Sequence, residues 1–97
     1  MSAGLPPAAH VSIAISPLEY GRFLRAIGPD RKLPLSWQEW SVQLRHVERF
    51  LMSMGGRVEC VPVEYRGFMR YCADRGERPS HAALRAYALS LSTLSRS

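Results

Sequence analysis

The side chains of this sequence best able to bind a metal or act as nucleophiles are Cys60, Cys72, His10, His46 and His81. Zinc sites usually show closely spaced pairs such as C-x-x-C or H-x-x-x-H, and the sequence contains neither spacing. The three histidines also fall on different predicted elements. We therefore expect no metal site and no cofactor.

Covalent catalysis finds little support in the sequence. Cys72 shares a helical stripe with Phe68 and Met69, and apolar surroundings disfavour the reactive thiolate. Glycine-rich phosphate loops, paired carboxylates on one helix face and a G-x-S-x-G motif are all missing from the sequence. A concave polar site would also be unusual in a domain of this length. The sequence therefore predicts a protein that is not an enzyme, with no catalytic residues and no small-molecule substrate.

The charge of the chain leaves two interpretations open. Thirteen basic against eight acidic residues give a formal net charge of +5, and every basic residue except Lys32 is arginine. Arginine pairs bidentately with phosphate and carboxylate, which points to an anionic partner. A GC-rich genome enriches arginine whatever the function, and we favour genome composition as the source of the excess.

The compartment is predicted from what the sequence lacks. Two cysteines are too few for a disulfide scaffold, and residues 1–16 have neither a basic start nor a long apolar run. No stretch approaches the ~20 apolar residues of a membrane span. We expect a cytoplasmic protein with reduced cysteines and no membrane partner.

The longest periodic segment runs from Ser36 to Gly55. Six large apolar side chains recur there at spacings of 3, 4, 3, 4 and 3, which is one face of a helix: Trp37, Trp40, Leu44, Val47, Leu51 and Met54. Ser36 and Glu39 form an S-x-x-E capping box at its start. We expect this stripe to be covered by neighbouring elements, with both tryptophans as core anchors.

The remaining elements follow from shorter patterns. Val11–Ser16 alternates as a strand does, and Ser16 with Glu19 forms a second S-x-x-E box at the start of a helix. Residues 57–63 predict another strand. Two more helices follow, one ending at Gly76 and one capped by Ser80.

Together these elements predict a mostly helical α+β domain in the order β-α-α-β-α-α. Its two-stranded sheet packs against the long central helix, and the direction of the strands is left open. We expect a flexible lead-in over residues 1–9, one globular domain over 10–94 and a frayed end over 95–97.

The second half of the chain resembles two kinds of known protein. A V-x-V strand, an aromatic helix with a cysteine, G-x-x-P and an R-x-Y-A helix are typical of a type of small bacterial protein; the matching residues are Val61, Val63, Phe68, Tyr71, Cys72, Gly76, Pro79, Arg85, Tyr87 and Ala88. That resemblance implies an α+β fold and a bacterial origin, and it carries over no activity. Residues 68–91 also resemble the helical, DNA-clamping N-terminal domain of tyrosine recombinases.

Nucleic-acid binding is the alternative function. Residues 65–91 could form a helix-turn-helix whose second helix presents His81, Arg85 and Ser92 to a groove. Arginines nearby could hold phosphates, so the candidate surface for an anionic partner is Arg66, Arg70, Arg75, Arg78, His81 and Arg85. Against it, the would-be recognition helix is mostly alanine and leucine.

Protein binding is the leading prediction. A two-stranded sheet has edges that can pair with another chain. Phe50, Met52 and Leu89 lie beside the main apolar stripes, where they could either remain exposed or complete a wide core face. We expect a homodimer or an adaptor that binds another protein, with small phage- or plasmid-encoded inhibitors as a special case.

Overall fold

The computed structural model describes residues 9–29 and 33–92. The elements in chain order are β1 (Ala9–Ile15), α1 (Tyr20–Ile27), α2 (Trp37–Ser53), β2 (Arg57–Val63), α3 (Tyr65–Arg75) and α4 (His81–Leu91). This order confirms the predicted mostly helical α+β fold. Residues 1–8 of the predicted lead-in and the predicted frayed end at 95–97 lie outside the described residues, and Ala9 already belongs to β1.

The two strands pair in parallel, a direction that the sequence left open. Ala9 lies opposite Arg57, and the register continues to Ile15 opposite Val63. A parallel pair requires a crossover connection, and α1 and α2 provide it. Alternation along the strands gives the sheet one thoroughly buried face, formed by Val11, Ile13, Ile15, Val61 and Val63.

An aromatic core lies in the same buried cluster as this face of the sheet. We use that name for Phe23 of α1, Tyr65, Phe68 and Tyr71 of α3, and Tyr87 of α4. Phe23 and Phe68 are completely buried, with ring centroids 5.6 Å apart. Burying such a ring is worth about 3 kcal/mol, so these contacts hold α1, α3 and α4 together.

Three helix boundaries follow the sequence signals. The Ser36 hydroxyl accepts the backbone N–H of Glu39 at 3.1 Å, and the Ser80 hydroxyl accepts that of Ala83 at 3.0 Å. These bonds satisfy orphan N–H groups in the first turns of α2 and α4. Gly76 ends α3 in the left-handed conformation, with φ of +64°, where glycine carries no steric cost.

The capping box predicted for α1 is wrong. α1 begins at Tyr20, and the Ser16 hydroxyl accepts the N–H of Leu18 in the preceding turn. The Glu19 carboxylate instead accepts the backbone N–H of Tyr65 at 3.2 Å, at the start of α3. A helix N-terminus offers unpaired N–H groups and a positive dipole end, so Glu19 stabilises a helix distant in sequence.

α3 and α4 approach each other closely at Gly67. A Cβ at this position would lie 2.0 Å from the Tyr87 hydroxyl oxygen, which is far inside van der Waals contact. The Tyr87 ring also packs against Tyr71, with centroids 5.4 Å apart. Gly67 therefore lets the tyrosine of α4 lie against the backbone of α3.

The predicted burial of the α2 stripe holds at its start and fails towards its end. Trp40 is buried against Tyr20, and the Trp37 indole donates to the Ile15 carbonyl at 2.8 Å. Val47 and Met54, both predicted to be covered, are exposed. A helix of 17 residues is about 25 Å long, and a sheet only two strands wide cannot cover its whole stripe.

No helix among the described residues combines the length and the apolar character that crossing a bilayer would require.

Candidate interaction surface

A groove of about 280 Å³ lies between α2 and α4 and runs along β1. Its apolar lining comes from Val11, Ile13, Trp40, Leu44, Val47, Leu51 and Val58. Polar side chains stand among them, chiefly Glu48 from α2 and His81 and Arg85 from α4. An apolar concave surface with a few polar groups is the usual form of a binding site.

The groove continues onto exposed apolar surface of α2. Val47, Phe50 and Met54 are 54%, 62% and 71% exposed, and we call these three residues the apolar strip. Their spacing of three and four places them on one side of the helix over about 10 Å. Val47 also lines the groove, so the strip and the groove form one continuous surface.

Glu48 helps to orient α2 about its axis, together with Trp37 and Trp40 near the start of the helix. The Glu48 carboxylate accepts hydrogen bonds from the Ser12 hydroxyl of β1 and, at 3.6 Å, from the Cys60 thiol of β2. Consecutive helical residues differ by about 100° in direction, so a helix that turns Glu48 to the sheet turns Val47 and Phe50 away from it. A polar contact with the strands therefore determines which apolar side chains stay exposed.

The two thiols are not activated for chemistry. Burial of the sulfur, and then the adjacent Glu48 carboxylate, raise the pKa of Cys60 above its ordinary value. Burial and the charge of Glu77 raise the pKa of Cys72. Both cysteines are free, and a raised pKa reduces the thiolate fraction at neutral pH. Ser12, Glu48 and Cys60 thus form a hydrogen-bonded link between elements, without an activated nucleophile.

The structure brings two of the predicted anionic-partner residues into the groove. His81 and Arg85 lie one turn apart on α4, and both line the groove. The Arg85 guanidinium donates to the backbone carbonyl of Val11 at 3.4 Å, a long hydrogen bond to a neutral acceptor. Arg85 therefore presents its charge beside β1.

The other four predicted residues lie away from the groove. Arg66 and Arg70 are exposed on α3, Arg78 is exposed in the loop before α4, and the Arg75 guanidinium lies 4.5 Å from the Tyr71 ring centroid. Tyr87, which packs on Tyr71, lies on the α3 side of α4, about 200° around that helix from Arg85. Of the six predicted residues, only His81 and Arg85 line the groove.

Ser92, which the helix-turn-helix hypothesis gave to a nucleic-acid groove, is fully buried. Its hydroxyl donates to the Glu59 carboxylate of β2 at 2.7 Å. Since Arg85 and Ser92 connect α4 to both strands, the side predicted to read bases faces this protein's own sheet. No group of three or more His, Cys, Asp or Glu side chains within residues 9–29 and 33–92 is arranged to hold a metal ion.

The sequence indicated part of this surface and missed the rest. Phe50, Met52 and Leu89 were named as apolar positions that could either remain exposed or complete the core, and all three are exposed. Val47 and Met54 were assigned to the core. The sequence feature that could have indicated their exposure is Glu48, whose carboxylate lies next to the apolar stripe. A carboxylate facing the sheet would accept hydrogen bonds there and orient the helix accordingly.

Compared with models of protein families, with curated proteins and with solved structures, the chain gives no match.

Proposed function

We propose that this protein is a non-enzymatic binding module, and that another protein docks on the apolar strip and the adjoining groove. The observation that carries the proposal is the exposure of Val47, Phe50 and Met54 in continuity with an apolar concavity. Isolated exposed apolar residues are ordinary, but a contiguous apolar surface with a polar rim is typical of an interaction site. A cytoplasmic location fits the two free thiols.

A partner helix fits the shape of this surface. From Trp40 to Met54 the apolar side of α2 extends for about 21 Å, which is four turns. A helix lying beside it could contribute apolar side chains at i, i+3, i+4 and i+7, the helix-in-groove mode of recognition. The two ends of the surface differ, because Trp40 is buried and Met54 is mostly exposed.

α2 offers a matched pair of variants for testing the proposal. Val42 and Val47 are the same residue type on the same helix, are 53% and 54% exposed, and lie about 140° apart around its axis. Val47→Asp places a charge in the docking surface, whereas Val42→Asp places the same charge outside the lining of the groove. Both variants should have similar stability, because neither side chain is buried.

The measurement uses peptides selected from a display library of random 16-residue sequences against the wild-type protein. The selected peptides are synthesised and their Kd is measured. We expect Val47→Asp to raise that Kd at least about tenfold, the loss of affinity typical of a central interface residue. Val42→Asp should leave their Kd unchanged. Peptides that bind Val47→Asp as tightly as the wild type would overturn the proposed site.

Self-association is the other form of protein binding that the sequence suggested. Light scattering across a concentration series measures it directly. A dimer that Val47→Asp dissociates and Val42→Asp does not would assign the strip to a second copy. A monomer throughout would leave the strip for a different protein.

The salt dependence of binding distinguishes nucleic-acid binding from docking of another protein and from self-association. Contacts with phosphates release counterions, so their affinity falls steeply as salt increases. An electrophoretic shift at low salt that disappears on replacing Arg66 and Arg70 would favour this alternative. The groove itself offers little support for this alternative, because only His81 and Arg85 among the six predicted residues line it.

A further inference from the structure

Building on the proposed docking function, we infer that the partner presents an acidic amphipathic helix, with a carboxylate that pairs with Arg85. The juxtaposition that supports this inference is a guanidinium at the wall of an apolar groove. Arg85 lines the groove together with Trp40, Leu44 and Val47. If the apolar side chains of a partner helix contact α2, the residues beside them on that helix would lie close to Arg85.

The charge of Arg85 is not compensated by the described part of the chain. Its one hydrogen bond there goes to the Val11 carbonyl, which is neutral, and no ion pair involves Arg85 among residues 9–29 and 33–92. A guanidinium carries five N–H donors in a planar fork, so several remain for a carboxylate. Arg85 is exposed, so a partner can reach its guanidinium, and the pair would strengthen as the partner's apolar side chains displace water.

The acidic side chain that lines the groove already has partners within the protein. Glu48 accepts hydrogen bonds from the Ser12 hydroxyl and the Cys60 thiol at the sheet. Arg85 is therefore the charged donor that the groove offers to an occupant.

The composition of this chain argues against a second copy as the occupant. The four described helices contain eleven charged residues, of which eight are arginine and three are acidic: Glu39, Glu48 and Asp74. Glu48 faces the sheet, so no described helix presents an acidic side flanking an apolar stripe. Two copies, each with a net charge of +5, would also repel each other electrostatically. The complementary helix therefore belongs to a different protein.

The experiment compares two selections from the same library of random 16-residue peptides. One selection uses the wild-type protein, and the other uses Arg85→Glu. We expect wild-type peptides to combine apolar residues at helical spacing with an excess of Asp and Glu. Reversing the charge at position 85 should remove that excess, because the new carboxylate repels acidic residues and attracts basic ones.

Individual acidic peptides then provide the affinities. Tryptophan emission reports binding, since Trp40 lines the groove. Arg85→Gln should raise the Kd of acidic peptides about tenfold at low salt. The difference should become smaller as salt screens the attraction between Arg85 and the peptide carboxylate. The control is Arg66→Gln, which removes the same charge from the exposed side of α3 and should leave Kd unchanged.

Each result decides the inference. In one outcome, the selected peptides show no excess of acidic residues and still bind Val47→Asp more weakly than the wild type. That result would overturn the inference of an acidic partner and would leave the proposed docking site intact. Equal losses in Arg85→Gln and Arg66→Gln would show a general charge effect and would also overturn it. Peptides insensitive to Val47→Asp would overturn the proposed function itself, and a Val47-dependent dimer would replace the acidic helix with a second copy.

Discussion

Two regions of this molecule contain similar side chains and differ in what surrounds them. In the aromatic core, Phe68 is completely buried, whereas Phe50 in the second half of α2 is 62% exposed. α1, α3 and α4 all contribute to the aromatic core, and α2 joins the buried cluster through Trp40 near its start. Further along α2, Glu48 contacts Ser12 and Cys60 of the sheet, and Phe50 lies outside the cluster. Burial thus depends on how many elements meet at a place, and the regularity of an apolar stripe does not ensure it.

Replacing one phenylalanine in each region tests this difference most strongly. Phe68→Ala should lower the free energy of unfolding by about 3–5 kcal/mol, because it leaves a cavity among packed rings. Phe50→Ala should change it by less than about 0.5 kcal/mol, because the ring is mostly in water already. Urea denaturation measures both values. Similar losses for the two variants would show that the end of α2 is covered after all.

A smaller change probes how tightly α3 and α4 are packed. Gly67→Ala should cost about 1–3 kcal/mol, because its methyl group would overlap the Tyr87 hydroxyl and force the helices apart. Gly21 is the matched control, since a Cβ there meets nothing within 4 Å and the residue is in α1. Gly21→Ala should be neutral or slightly stabilising.

The Tyr87 hydroxyl itself can be removed to check the cause. In a Tyr87→Phe background the oxygen is gone, and the nearest remaining ring atom would lie 3.1 Å from the alanine Cβ at position 67. The cost of Gly67→Ala should therefore be smaller in that background. Equal costs in both backgrounds would show that the tyrosine hydroxyl is not the obstacle.

The smallest predicted effect concerns the contact that orients α2. Since burial and then Glu48 raise the pKa of Cys60, the thiol should react slowly with iodoacetamide at pH 8. Glu48→Gln removes the negative charge, lowers the pKa towards its ordinary value and should increase the alkylation rate a few-fold. Cys60→Ser measures the background from the buried Cys72. An unchanged rate in Glu48→Gln would place the carboxylate away from the thiol.

Local signals in the sequence predicted most of the fold. The serine caps of α2 and α4 and the glycine after α3 are each settled by a few neighbouring residues, and all three are confirmed. The exception is Glu19. Its spacing from Ser16 satisfied a local rule, but the start of α3, distant in sequence, offered its carboxylate a better donor.

The candidate site was less predictable because it depends on tertiary contacts. Whether Val47 is core or surface follows from the direction in which Glu48 points, and that requires Ser12 and Cys60 to be adjacent on neighbouring strands. Likewise, His81 and Arg85 were identified as candidates, but their place beside β1 depends on how α4 crosses the sheet. Sequence periodicity carries no information on either point.

The parallel pairing of the strands also has a consequence for how the chain folds. Each pair in the register, from Ala9 with Arg57 to Ile15 with Val63, joins residues 48 positions apart. The entropy of closing that loop must be overcome before any strand contact forms, and proteins dominated by such distant contacts fold slowly. Helices α1 and α2 can form from local contacts, but β1 cannot pair until β2 has been synthesised. During synthesis, the apolar residues of β1 therefore stay without their strand partner until more than half of the chain has left the ribosome.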